Sequence, residues 1–216
     1  DTGSRGLGDV YKRQVICKVP DLGLAETRQA IDAAYDAQKL WSSKTGKERS
    51  SILKTFYELM MANAEDLAKI ITAEMGKPIS EATGEIAYGA SFIEFFAEEA
   101  KRIYGETIPG HQADKKILVI KQPIGVVTSI TPWNFPNAMI TRKLGPALAA
   151  GCSFVAKPAE DTPLSALAIA VLAERAGIPK GVLSIVTSNK SQVIGEEFCS
   201  NSKVRKLTFT GSTEVG

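Results

Sequence analysis

The sequence has one histidine, His111, and three cysteines, Cys17, Cys152 and Cys199. A single imidazole excludes a histidine-cluster metal site and any chemistry that needs a histidine pair. The cysteines are odd in number, far apart and form no CxxC. Neither a zinc site nor a disulfide framework is therefore expected, and a reducing compartment is favoured. Long hydrophobic runs are missing as well, so no membrane-spanning helix is expected. Charge of one sign is scarce: the net charge is +2 and no stretch is strongly basic. That argues against nucleic acid and anionic membrane as partners. What remains is ordinary for a globular protein: 216 residues, 44% hydrophobic and 23% charged, enough for one large domain or two small ones.

Residues 1–14 (DTGSRGLGDVYKRQ) stand apart. They lack the apolar core of a signal peptide and the Arg/Ser-rich amphipathic pattern of a transit peptide. Residues 4–14 instead resemble one reading frame of a transposon-end adapter used in sequencing libraries, with DVYKRQ at 9–14 as its end. The alternative is a natural unstructured tail. Fold reasoning therefore starts at about Val15, and residues 1–14 are expected to contribute no buried contacts.

From about Gly23 to Tyr104 the pattern reads as helical. Apolar residues recur at three- and four-residue spacing in 26–41 (Ile31, Ala34, Tyr35, Leu40) and in 47–62 (Ile52, Leu53, Phe56, Leu59, Met60). A third helix through Leu67, Ile70 and Ile71 should end at a capping Gly76, with Pro78 just beyond. A fourth spans about 80–102 and carries Tyr88, Phe92, Phe95 and Phe96. The period then changes at Gly105, Pro109 and Gly110. A strand is expected at 116–122. From 124 onward short apolar strands (125–130, 153–156, 182–187, 204–210) alternate with amphipathic helices (137–150, 162–176, 191–199). Asp161 or Thr162 should cap the second of these helices, with Pro163 in its first turn. Such alternation predicts an α/β fold with a Rossmann-like, doubly wound parallel sheet.

Doubly wound sheets bind ligands at the carboxyl ends of their strands. Three segments fall there: TPWNFP (131–136), KPAE (157–160) and FTGSTEVG (209–216). A lysine after a strand can donate to a ribose hydroxyl or a phosphate. A nearby carboxylate accepts from the 2′- and 3′-hydroxyls and repels a 2′-phosphate. By pattern alone, Lys157 and Glu160 fit an exposed loop ion pair equally well. Asn134 fits a turn between two prolines, and the glycines at 211 and 216 fit an ordinary capped turn.

Taken in order, TPWNFP (131–136), GPALAAGC (145–152), KPAEDTPLSA (157–166) and FTGSTEVG (209–216) resemble the aldehyde dehydrogenase superfamily. Residues 94–125 are similar to its succinate-semialdehyde branch. The resemblance runs from Val15 to Gly216. It implies a cofactor domain whose N-terminal part is the helical segment 15–104. Residues 105–123 would be part of an oligomerisation hairpin, exposing Ile117 and Val119, and 124–216 the dinucleotide-binding sheet. The resemblance makes Asn134 the donor to the oxyanion. It places Ile130, Thr131, Pro132, Trp133, Lys157, Ala159, Glu160, Gly211 and Ser212 around the cofactor. Arg142 would bind the carboxylate of a semialdehyde, since a guanidinium grips carboxylates in a forked geometry. The implied cofactor is NAD, with NADP as the alternative; Glu160 favours NAD.

The implied reaction is oxidation of a small aldehyde, succinate semialdehyde, through a cysteine thiohemiacetal. Glutarate semialdehyde is the alternative within the class. The implied assembly is a homo-oligomer, dimer or tetramer, in the cytoplasm or in the mitochondrial matrix of a eukaryote. In the family the general-base glutamate (within E-L-G-G) and the nucleophilic cysteine come after the position matched by Gly216. None of Cys17, Cys152 and Cys199 has the catalytic context, and all three are expected to be structural. The stretch by itself is therefore expected to be inactive. A non-catalytic dinucleotide-binding module is the reading from a different class.

Overall fold

The computed structural model describes residues 4–8, as backbone only, and residues 15–216. Strand β1 (Ser4–Gly8) pairs antiparallel with β2 (Val15–Pro20). Backbone pairing of this kind does not depend on side chains. It therefore does not separate foreign from native sequence. The expectation about buried contacts of residues 1–14 lies outside the described residues.

Four helices follow: α1 (Leu24–Ser42), α2 (Gly46–Ala62), α3 (Ala64–Met75) and α4 (Ile79–Glu99), the last extended by a 3-10 turn (Ala100–Arg102). Thr45 and Glu48 close a reciprocal capping box at the start of α2. Gly76 ends α3 in the left-handed conformation at φ 79°, as its glycine predicts. β3 (Glu106–Pro109) and β4 (Lys116–Val119) form a separate antiparallel hairpin. The strand expected over 116–122 stops at Val119, because its partner strand begins at Glu106 and nothing in β3 remains to pair further.

The main sheet holds β5 (Val126–Ile130), β6 (Ser153–Lys157), β7 (Leu183–Ile185) and β8 (Val204–Phe209). All its pairings are parallel, and the order is β7-β6-β5-β8. The connections are α5 (Ala138–Ala149), α6 (Pro163–Arg175) and α7 (Ser191–Ser200). Strand β6 is buried along its whole length, as a parallel strand covered on both faces must be. Its residues alternate between two cores. Phe154 and Ala156 join Trp41, Phe56, Ile93 and Leu144 on the side of α2–α6. Val155 joins Ile31, Ala34, Ile194 and Phe198 on the side of α1 and α7. The α/β class and the doubly wound layering follow from that alternation.

Helices α4 and α5 pack closely at Gly89, where an added Cβ would lie 2.3 Å from the Asn137 side-chain oxygen. The fully buried indole of Trp41 donates to the carbonyl of Leu148 at 2.9 Å, tying α1 to α5. Thr162 is the N-cap residue of α6, but its hydroxyl makes no capping bond. The helix's free N–H groups instead donate to Glu74 on α3, at 2.8 Å from Leu164 and 3.0 Å from Ser165.

Candidate functional site

From β5 the chain winds to β6 and β7 on one side, then returns through α7 to place β8 on the other side of β5. The order reverses between β5 and β8, which makes the crevice at their carboxyl ends the topological switch point. The backbone knits this end together. The Thr131 N–H donates to the Lys157 carbonyl at 3.2 Å, and the Thr210 N–H to the Ile130 carbonyl at 3.1 Å. The loops after β5, β6 and β8 are therefore neighbours. Buried here, the Thr131 hydroxyl has no hydrogen-bond partner among the described residues.

Lys157 closes β6, and its side chain is 2% exposed. Its ammonium donates to the Glu160 carboxylate at 3.1 Å and to the Ser191 hydroxyl at 2.8 Å. Ser191 in turn donates to Glu160 at 3.4 Å. A buried cation is costly unless paired, and this cluster supplies the pairing. Burial opposes ionisation of Glu160. Its own backbone N–H, the Lys157 ammonium and the Ser191 hydroxyl outweigh that and hold its carboxyl below the usual carboxylate range. The Glu160 side chain remains 45% exposed, so the cluster presents an ionised carboxylate beside a buried ammonium at the mouth of the crevice. Ser191 was missed by sequence reading. It opens α7 after β7, so it too follows a strand of the parallel sheet, and that position was the available signal.

The loop after β5 leaves Trp133, Asn134 and Phe135 exposed, while Pro136 and Asn137 are buried. It is held from beneath. Lys77, between α3 and α4, donates to the Asn134 carbonyl at 2.8 Å and stacks over the Phe135 ring at 3.9 Å from its centroid. The same ammonium pairs with Glu85 of α4. The other Glu85 oxygen accepts from the N–H groups of Asn137 at 2.9 Å and Ala138 at 3.3 Å. Sequence reading missed Lys77 and Glu85, because their partners are about fifty residues away in the chain.

Arg142 lies exposed on α5 with its guanidinium over the Phe92 ring, 5.5 Å from the centroid. Next to it, Lys143 donates to the Thr210 hydroxyl. Burial, and after it the Arg142 charge, lowers the Lys143 pKa. Arg142, Lys143, Cys152, Thr208 and Phe209 line a cleft of about 620 Å³ between α5 and β8. Gly211 and Ser212 lie in the exposed turn after β8. A Cβ at Gly211 would lie 2.4 Å from the Phe209 ring, so the glycine accommodates that ring. Pro132 and Ala159 are half-buried. A backbone bond, from the Thr131 N–H to the Lys157 carbonyl, links the Lys157 cluster to the loop that carries Asn134. Cys152 is buried in the larger core, and Cys199 is exposed.

Comparison with known proteins agrees with this architecture. Residues 8–216 match the model of the aldehyde dehydrogenase family. Over 203 residues the chain is 64% identical to glutarate-semialdehyde dehydrogenase of Pseudomonas aeruginosa; the match covers 94% of this chain and 42% of that protein. It is 63% identical over 198 residues to the NADP(+) succinate-semialdehyde dehydrogenase GabD of Escherichia coli, covering 92% of this chain and 41% of that one. The fold superposes on succinate-semialdehyde dehydrogenase from Burkholderia pseudomallei with a TM-score of 0.96 at 57% identity, covering 99% of this chain and 44% of that chain. The chain thus spans about two fifths of the length of these relatives.

Proposed function

The chain belongs to the aldehyde dehydrogenase family, and on that premise we propose that it is the N-terminal, cofactor-binding part of an enzyme that oxidises succinate semialdehyde with NAD. The observation that carries the cofactor reading is the cluster of Lys157, Glu160 and Ser191 at the switch-point end of the sheet. Its chemistry fits a ribose diol: a buried ammonium and a hydroxyl to donate, and an ionised carboxylate to accept. The orphaned Thr131 hydroxyl, buried at the same end, is a further group that a ligand in the crevice would satisfy. Glu160 disfavours a 2′-phosphate by charge, which supports NAD over NADP. Ile130 to Trp133, Ala159, Gly211 and Ser212 complete the proposed cofactor environment. When bound, the nicotinamide supplies a hydride acceptor.

This chain's own residues would act on either side of that transfer. The Asn134 amide would donate to the oxyanion that forms when a thiolate attacks the aldehyde; losing one such donor typically raises a barrier by about 2.7–4 kcal/mol. Arg142 would bind the distal carboxylate of the substrate. Glutarate semialdehyde is a specific second reading, favoured by the 64% identity to glutarate-semialdehyde dehydrogenase. Both substrates present one aldehyde and one carboxylate, so Arg142 serves either.

The test is made on the full-length protein that carries this chain. Reduction of NAD and NADP is followed with succinate semialdehyde, glutarate semialdehyde and an uncharged aldehyde of similar length. The proposal expects the succinate compound to give the highest kcat/KM. It also expects Arg142→Gln to raise KM for the charged aldehydes alone. Equal turnover of all three would sink the substrate reading. Residues 15–216 alone should give no NADH above buffer; turnover there would mean that a cysteine of this chain is the nucleophile.

A further inference from the structure

Lys77 sits between two residues of restricted geometry: Gly76, left-handed at φ 79°, and Pro78, which opens α4. Its backbone is thereby aimed, and its side chain is only 8% exposed. The ammonium has three partners. They are the fully buried Glu85 carboxylate, the carbonyl of Asn134 and the face of Phe135. The second Glu85 oxygen takes the N–H groups of Asn137 and Ala138, the first free donors of α5. Asn137 occupies the N-cap position but makes no side-chain cap bond, and neither of its buried amide atoms has a hydrogen-bond partner among the described residues. The capping work has moved to a carboxylate on another helix. One ion pair therefore grips the loop after β5 at two points, its middle and its α5 end: the cation at residues 134 and 135, the anion at 137 and 138.

Resting on the reading of Asn134 as an oxyanion donor, we propose that Lys77 and Glu85 are positioning residues that hold the 134–138 segment fixed, so that the Asn134 amide is placed before substrate arrives. The physical case is one of cost. A buried ion pair gains little over apolar residues of similar volume in stability, because both ions lose their hydration. What this pair adds is two charge-assisted grips on the backbone of one loop, including the peptide carbonyl of the residue whose side chain would act. A donor to a developing charge is useful only when it needs no reorganisation at the moment of reaction. The exposed stretch of Trp133, Asn134 and Phe135 would not otherwise be held still.

The sequence provides its own reporters. Its two tryptophans are Trp133, in this loop and 55% exposed, and Trp41, fully buried in the core. The chain is labelled with 5-fluorotryptophan and compared by fluorine NMR as wild type, Lys77→Met, Glu85→Gln and Lys77→Arg. The expected result is a shifted or broadened Trp133 resonance in Lys77→Met and Glu85→Gln, an unchanged Trp41 resonance, and partial recovery in Lys77→Arg. An unchanged Trp133 overturns the proposal. So does loss of both resonances together, which would assign the pair to global stability. In the full-length protein Lys77→Met should lower kcat by about 10- to 100-fold, the scale set by small misplacements of a reacting group, with KM for the dinucleotide unmoved and Lys77→Arg restoring part of the loss. Asn134→Ala in the same enzyme separates the two claims. If it leaves kcat intact while Trp133 still responds to Lys77→Met, the clamp stands and the oxyanion role falls. If it lowers kcat while Lys77→Met changes neither kcat nor Trp133, the clamp falls and the oxyanion role stands.

Discussion

Glu74 on α3 accepts the backbone N–H of Ser165 at 3.0 Å and that residue's hydroxyl as well, ninety-one residues along the chain. With the Leu164 N–H on its other oxygen, it caps α6 from a different layer, just as Glu85 caps α5. Two carboxylates of the helical layer thus supply the N-terminal caps of both helices between β5 and β7. An anion at a helix N-terminus also meets the positive end of the macrodipole.

Burial nonetheless dominates at Glu74 and pushes its pKa up to about 7, against the Ser165 and Leu164 donors that favour the anion. The folded state therefore binds this proton more tightly than the unfolded chain, whose carboxyl titrates near 4.5. The contribution to stability is complete below that lower value and is lost as pH rises through about 7. The loss is at most roughly 3 kcal/mol. Glu74→Gln should flatten this part of the profile. Urea midpoints for both proteins from pH 5 to 8 check it, and parallel slopes would rule it out.

Ser191→Ala removes a 2.8 Å bond to the Lys157 ammonium. Dinucleotide binding should weaken by a few fold, equivalent to about 0.5–1.5 kcal/mol for one hydrogen bond. Titration calorimetry with NAD measures this. An affinity equal to wild type would remove Ser191 from the site.

Glu160→Ser should change cofactor preference more than overall activity. With the carboxylate gone, the Lys157 ammonium at the mouth of the crevice is left to meet a 2′-phosphate. The ratio of kcat/KM for NADP to that for NAD in the full-length protein should rise by about tenfold or more, equivalent to about 1.4 kcal/mol. A fall in both values with an unchanged ratio would place Glu160 in the fold rather than in selectivity.

The hairpin of β3 and β4 stands outside the main sheet and exposes Ile117, Leu118, Val119 and Ile120, the second of these by 73%. Ile117 and Val119 are thus exposed, as the sequence led one to expect. That apolar edge is the basis for the expectation that the hairpin is an association surface. Leu118→Glu combined with Ile120→Lys should lower the oligomeric state of the full-length protein and leave far-UV circular dichroism unchanged. Sedimentation velocity decides, and an unaltered assembly would dismiss the hairpin as the contact.

Much of this protein was determined locally. The spacing of Ile52, Leu53, Phe56 and Met60 forced helix α2, Gly76 the end of α3, and the runs at 125–130 and 153–156 a buried parallel sheet, because helix and strand periods are set by neighbours in sequence. The carboxyl ends of those strands also pointed to Lys157, Glu160 and the loop around Asn134. Three things were decided only in three dimensions. Asp161 or Thr162 looked like the capping side chain of α6, yet the side chain that takes its free N–H groups is Glu74. The missing Cβ of Gly211 makes room for the Phe209 ring two residues before it. Lys77 and Glu85 carried no local signal at all, and Ser191 carried only its place after a strand of the sheet. The reason is the same in each case. Which buried polar groups meet depends on how α3, α4 and α7 pack against the sheet, and a buried charge takes its partner from whatever the packing brings within about 3 Å, however distant in the chain.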